Sequence, residues 1–235
     1  MLVNFSKKQE RIMELILVLS VAVLPGLFNA LFTHLGYIEM DYSANSRQAA
    51  FFLQILQQLL VLFVFFYVLY RQGKGFKHIG LSFVWSDIFR GLALLLTAYG
   101  FVFIVNIVIS IFSFLSGDQL SKLPQNIDIF SSGSISTLLI LFLIVNSFFE
   151  ELIVRAYLIT EVEELTNSSI LAVILCVVIQ TSYHIYQGII PLITIATIFL
   201  VFSIYYVRSK RIMPLVLAHT YLNLVSVILS RYLVS

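Results

Sequence analysis

The sequence predicts an all-α fold, a polytopic transmembrane helix bundle of about seven spans, and three observations carry that expectation. Hydrophobic residues make up 60% of the 235 and charged residues only 11%, where a soluble domain has about 45–50% and about 25%. The mean hydropathy is +1.00, so the chain lacks the polar residues to cover a water-facing surface. Apolar stretches close to the roughly 20 residues that cross a bilayer recur along the whole length. The same arithmetic excludes other classes. Ten glycines and four prolines are too few for a collagen-like rod. The single cysteine, Cys176, lies in an apolar run and can form no disulfide within one chain. Fourteen Lys/Arg against twelve Asp/Glu leave a net charge of +2, too small and too dispersed for a nucleic-acid footprint.

The first span, 12 to 35, follows Lys7, Lys8 and Arg11. It is too long for a signal-peptide core and has no small-residue cleavage site, so it is read as retained. The second, 49 to 70, carries Gln54, Gln57 and Gln58, which line a cavity or contact another helix. Between the second and third spans, Gly73 to Arg90 mixes Lys74, Lys77 and His78 with Phe76, Phe83, Trp85 and Phe89. That mixture suits a segment in the membrane interface, touching lipid headgroups, and equally a connecting loop. The third span, 91 to 115, leads into a linker over 116 to 134 that contains Gly117, Pro124 and Gly133. The fourth runs from 135 to 159. The fifth and sixth, 170 to 187 and 189 to 207, are divided only by Gln187, Gly188 and nearby Pro191, a division that also fits a re-entrant pair. The seventh covers 212 to 233. With the N-terminus inside, ten Lys/Arg fall on the inner side and three, Arg47, Lys122 and Arg231, on the outer. The positive-inside rule therefore places the N-terminus in the cytoplasm. The inner loop 160 to 169 is acidic through Glu161, Glu163 and Glu164 and adds nothing to that bias.

Ionisable groups in a bilayer core cost about 2.5–3.5 kcal/mol each on insertion scales, so those that persist there are functional candidates. Three segments hold nearly all of them: Asn146 to Arg155, the region of His184, and the stretch containing His219 and Asn223. Glu151 and Arg155 are four apart with the acid first, the favoured order for a helical ion pair. Glu150 points about 100° away and shares its face with Asn146 instead, which makes it the better candidate for a reactive base. His219 and Asn223 project from one face of the seventh span. They read as a pair of oxyanion donors or as an interhelical fastening. His184 has only Gln180 one turn earlier on its face. By depth, Glu150, His184 and His219 all reach mid-membrane. Two histidines and two glutamates also invite a catalytic zinc. The helical HExxH spacing is absent, and neither a cysteine nor a third histidine is suitably placed, so no metal or other cofactor is expected. His34 and His78 read as interfacial residues.

These segments resemble, in order, the three motifs of the CPBP family of intramembrane proteases, which includes the type II CAAX prenyl endopeptidases and the Abi bacteriocin-processing and self-immunity proteins. The family pattern is EExxxR, then FxxxH, then HxxxN. Here it reads Glu150-Glu151-Leu-Ile-Val-Arg155, Gln180-Thr-Ser-Tyr-His184 and His219-Thr-Tyr-Leu-Asn223. The chain departs at Gln180, where an aromatic is usual, and at Ala156, where Gly often follows the arginine. The resemblance covers about residues 135–230, which it makes the catalytic core, whereas 1–134, read as N-terminal transmembrane helices and an interfacial segment, matches only as generic hydrophobic helices. It implies a metal-free glutamic-type peptidase in which Glu150 and His184 activate water, His219 and Asn223 hold the oxyanion, and Glu151 and Arg155 support them. The expected substrate is a membrane-associated peptide or a lipidated, CAAX-like tail. A compact chain without a targeting extension fits a multi-pass protein of a bacterial cell membrane. The rival is a non-proteolytic regulator or bacteriocin-immunity protein built on the same bundle. A transporter is the distant third, since no inverted helix pairs are seen.

Overall fold

A capping box starts the first helix: the Ser6 hydroxyl accepts from Gln9 N at 3.3 Å and the Gln9 side chain accepts from Ser6 N at 2.9 Å. Helix α1 (Lys7–His34) therefore begins about one turn ahead of its apolar run. The computed structural model describes residues 6–38, 44–116 and 135–234, with no strand among them. After α1 come α2 (Ala44–Arg71), a 3-10 turn (Phe76–Ile79), α3 (Ser86–Ser116), α4 (Thr137–Phe149), a π-helical segment (Glu150–Tyr157), α5 (Leu158–Thr166), α6 (Ser169–Ser182), a second 3-10 turn (Ile185–Gln187), α7 (Ile189–Ser209) and α8 (Met213–Val234). The linker read over 116 to 134, with Lys122, lies outside the described residues from 117 on, as does the side chain of Arg231.

Among the described residues, six helical rods are long and apolar enough to cross a bilayer: α1, α2, α3, the continuous rod from α4 through α5, α7 and α8. Large apolar side chains such as Phe63, Phe103 and Phe114 stand 73%, 67% and 86% exposed on them, which a water-facing surface would not tolerate and a lipid-facing one requires. The protein is a multi-pass membrane helix bundle. The fifth expected span is shorter than read. Helix α6 has 14 residues, about 21 Å at 1.5 Å per residue, against a hydrocarbon layer of about 30 Å. It forms a hairpin with α7, turning at Gly188, whose φ of 94° belongs to the left-handed half of backbone space.

Around the centre, α3 packs on α8 and α7, α4 on α2 and α8, and α6 on α7 and α5. Phe65 of α2 meets Tyr157 edge-on at 5.2 Å between ring centroids. The acidic stretch expected as a loop is helix to Thr166, two turns past the expected end, and stops where Asn167 turns left-handed at φ 55°. Its acids can stay helical because bases from other elements meet them. Arg11 reaches Glu161 at 2.8 Å, Lys74 pairs with Glu161 and Glu164, and Lys210 pairs with Glu163. Buried Asp87, at the start of α3, holds Arg211 at 2.8 Å. These pairs put the starts of α1, α3 and α8 and the ends of α2, α5 and α7 at one end of the bundle. At the same end Gly80 has φ 70°, and a Cβ there would stand 2.0 Å from the Lys210 carbonyl oxygen. Between the second and third spans, Phe76, Trp85 and Phe89 are exposed while Ile79 is buried, so one 3-10 turn plugs the bundle end and aromatic residues fringe it.

Candidate active site

The site is built on the π-helical segment, all eight residues of which are buried. A π turn widens the helix by one residue per hydrogen-bonded ring, a distortion that recurs at functional sites. It sits where two acids and an arginine must be packed among apolar neighbours.

Glu151 and Arg155 form the expected ion pair, and neither side chain has any exposed surface. Arg155 also donates to Gln180 Oε1 at 2.5 Å and to Ser203 Oγ at 3.4 Å. Its guanidinium lies over the rings of Phe199 and Phe202, 5.6 and 5.3 Å from their centroids, so the cation is enclosed by acceptors and π faces. The other oxygen of Glu151 lies 2.8 Å from Nδ1 of His219. An ionised carboxylate only accepts, so Nδ1 donates and Nε2 is the nitrogen of His219 left for chemistry.

Glu150 is bonded differently, with neutral donors in place of the cation. Asn146 Nδ2 donates to Oε1 at 3.1 Å, while Gln180 Nε2 and Tyr183 OH donate to Oε2 at 3.2 and 3.1 Å. Because the carboxylate only accepts, Asn146 must present its NH2 there and turn its carbonyl oxygen outward. That oxygen receives Gln58 Nε2 of α2 at 2.7 Å. Of the three glutamines in the second span, Gln58 is thus a contact between helices, whereas Gln54 and Gln57 face outward.

His184 lies in the bend between α6 and α7. Gln187 Nε2 is 3.2 Å from its Nδ1; with that amide donating, the ring proton rests on Nε2, which has no hydrogen-bond partner among the described residues. The rings of His184 and His219 flank Phe199, at 5.7 and 6.4 Å. Asn223 is half-buried and donates to Ser147 Oγ at 3.2 Å, and Ser147 in turn donates to Leu143 O. His219 and Asn223 therefore both face the α4 rod but are engaged separately, one on Glu151 and the other on Ser147.

Sequence reading did not single out Tyr183, Ser203, Ser147 or the π turn. Tyr183 adjoins His184 in sequence and falls three residues after Gln180, which puts both on one face, and that spacing is the signal that could have found it. Among the described residues, one set of potential metal ligands gathers three ligand atoms within 4.8 Å: His78, Glu161 and Glu164 at the bundle end. Arg11 and Lys74 already supply cationic charge to those carboxylates. Burial, reinforced by Lys74, holds His78 below the usual histidine pKa despite Glu164 at 3.0 Å.

Residues 132–225 match the model of a known family, described as type II CAAX prenyl endopeptidase Rce1-like. No curated protein and no solved structure matches the chain.

Proposed function

From the Rce1-like match over 132–225 and the geometry of the site, we propose that the chain is an intramembrane endopeptidase of the CPBP family that hydrolyses a peptide bond of a membrane-associated peptide or CAAX-like tail. The observation that carries this reading is the division of labour between adjacent acids. Glu151 is neutralised by Arg155, and Glu150 is buried among neutral donors with no cation paired to it among the described residues.

In the proposed reaction Glu150 takes a proton from a water that His184 orients by donating through Nε2. The water oxygen bonds to the substrate carbonyl carbon, and negative charge moves to the carbonyl oxygen. His219 and Asn223 stabilise that oxyanion, His219 by donating from Nε2 in the form that carries a proton on both ring nitrogens. Collapse breaks the C–N bond, and Glu150 returns the proton to the leaving amine. Glu151 and Arg155 fix the π segment and the ring of His219. The protein is placed in the cell membrane with the basic end of the bundle, and so its N-terminus, in the cytoplasm.

A second reading, a non-proteolytic regulator or immunity protein, is favoured by one observation: Asn223 is already committed to Ser147, which fastens α8 to α4. Product mass spectrometry on protein reconstituted in liposomes with a pool of synthetic single-span peptides separates the two. A cleavage made by the wild type and missing with Glu150→Gln supports the protease. No product from any peptide, together with a cellular phenotype that survives Glu150→Gln, supports the regulator.

A further inference from the structure

A carboxylate has about four lone-pair positions, two on each oxygen. Among the described residues, Oε2 of Glu150 receives two donors, Gln180 Nε2 at 3.2 Å and Tyr183 OH at 3.1 Å. Oε1 receives one, Asn146 Nδ2 at 3.1 Å. The two oxygens are thus unequal: Oε2 is saturated and Oε1 keeps one open direction. None of the three donors is free to turn away. Gln180 is fully buried and pinned at its other end by Arg155, which donates to Oε1 of that amide. Asn146 is held in the same sense by Gln58 at 2.7 Å. The ring of Tyr183 lies against that of His184, 4.9 Å between centroids and tilted by 42°.

We propose that Gln180 and Tyr183 are positioning residues that saturate Oε2 of Glu150 and reserve Oε1 as the atom that accepts the proton of the attacking water. The proposal rests on the peptidase reading above. It gives a task to the glutamine that stands where an aromatic residue is usual in the family: with Tyr183 it offers Oε2 a second donor from the same face of α6. If either donor is lost, Oε2 competes for the water and the carboxylate can rotate, so fewer encounters place the proton on the correct atom. That defect belongs to turnover and not to substrate binding.

Tyr183→Phe removes the hydroxyl and keeps the ring against His184, so it tests the idea with least disturbance. Using the peptide from the synthetic pool that the wild type cleaves fastest, kcat should fall about tenfold while KM stays within about twofold and Tm is unchanged. Gln180→Leu should give the same split, with lower stability because Arg155 loses an acceptor. If Gln180→Leu does not fold, Tyr183→Phe decides alone. Wild-type kcat in Tyr183→Phe, or a rise in KM that accounts for the whole loss, overturns the positioning role and leaves the peptidase reading intact. A wild type that cleaves no peptide overturns the peptidase reading, and this inference with it.

Discussion

Arg155 is the residue whose removal the structure prices most directly. Truncation to Ala deletes the ion pair with Glu151, the bonds to Gln180 and Ser203, and the contacts with Phe199 and Phe202. It also leaves Glu151 buried with His219 as its one remaining partner among the described residues. Breaking a fully buried pair by deleting one member costs about 3–5 kcal/mol, and every 1.4 kcal/mol is tenfold in an equilibrium constant, so the folding equilibrium constant should drop by more than about a hundredfold. The assay is reversible unfolding in mixed micelles followed by helicity, with the amount of monodisperse protein as a second readout. Most of that cost is the stranded carboxylate and not the lost attraction. Glu151→Gln combined with Arg155→Gln should therefore recover at least half of the stability. If Arg155→Ala unfolds within about 1 kcal/mol of the wild type, Glu151 is not buried as an ionised partner of Arg155 and this reasoning fails.

Asn223→Asp replaces an amide donor with an acceptor and should abolish turnover, while Asn223→Ala keeps measurable turnover and loses about 0.6 kcal/mol with the Ser147 bond; melting curves and rates on both variants check this. Ser147→Ala should cost stability without changing kcat, and equal losses of turnover in Ser147→Ala and Asn223→Ala would make the pair a fastening only. Gly80→Ala should sharply lower the yield of folded protein in size-exclusion profiles, because its Cβ would stand 2.0 Å from a backbone oxygen at a position with φ 70°. His78 carries a pKa below its unfolded value. As pH falls through about 6.5 the unfolded chain takes up the proton first, so stability is full above that pH and erodes below it. Unfolding midpoints at pH 7.5 and 5.5 should differ less in His78→Gln than in the wild type.

Composition and apolar periodicity were enough for the bundle, since a chain with so few charges has one solvent it can face. The spacing of Glu151 and Arg155 was enough for their ion pair, because a helix fixes which residues lie one turn apart. Two features were out of reach for the same physical reason: they depend on partners far along the chain. The acidic stretch after residue 159 reads as a loop until Arg11, Lys74 and Lys210 arrive to neutralise it. Gln58 stays ambiguous until α2 lies against α4, and Gln180 changes from an oddity to a bridge between Arg155 and Glu150 once α6 packs beside the π segment. His219 and Asn223 share a helical face as their spacing requires, but which atom each addresses is set by Glu151 and Ser147 on other elements. The π turn left no mark in the periodicity.

The assignment of the two glutamates to different tasks is tested most directly by single-turnover cleavage of one peptide by Glu150→Gln and Glu151→Gln in liposomes, with folding checked by melting. Removing a positioned general base costs about a hundredfold or more, so Glu150→Gln should fold like the wild type and lose at least that factor in rate. Glu151→Gln should lose stability because Arg155 is stranded, yet its folded fraction should cleave faster than Glu150→Gln. Wild-type cleavage by folded Glu150→Gln, with cleavage lost in Glu151→Gln, would contradict the assignment and move the base to Glu151.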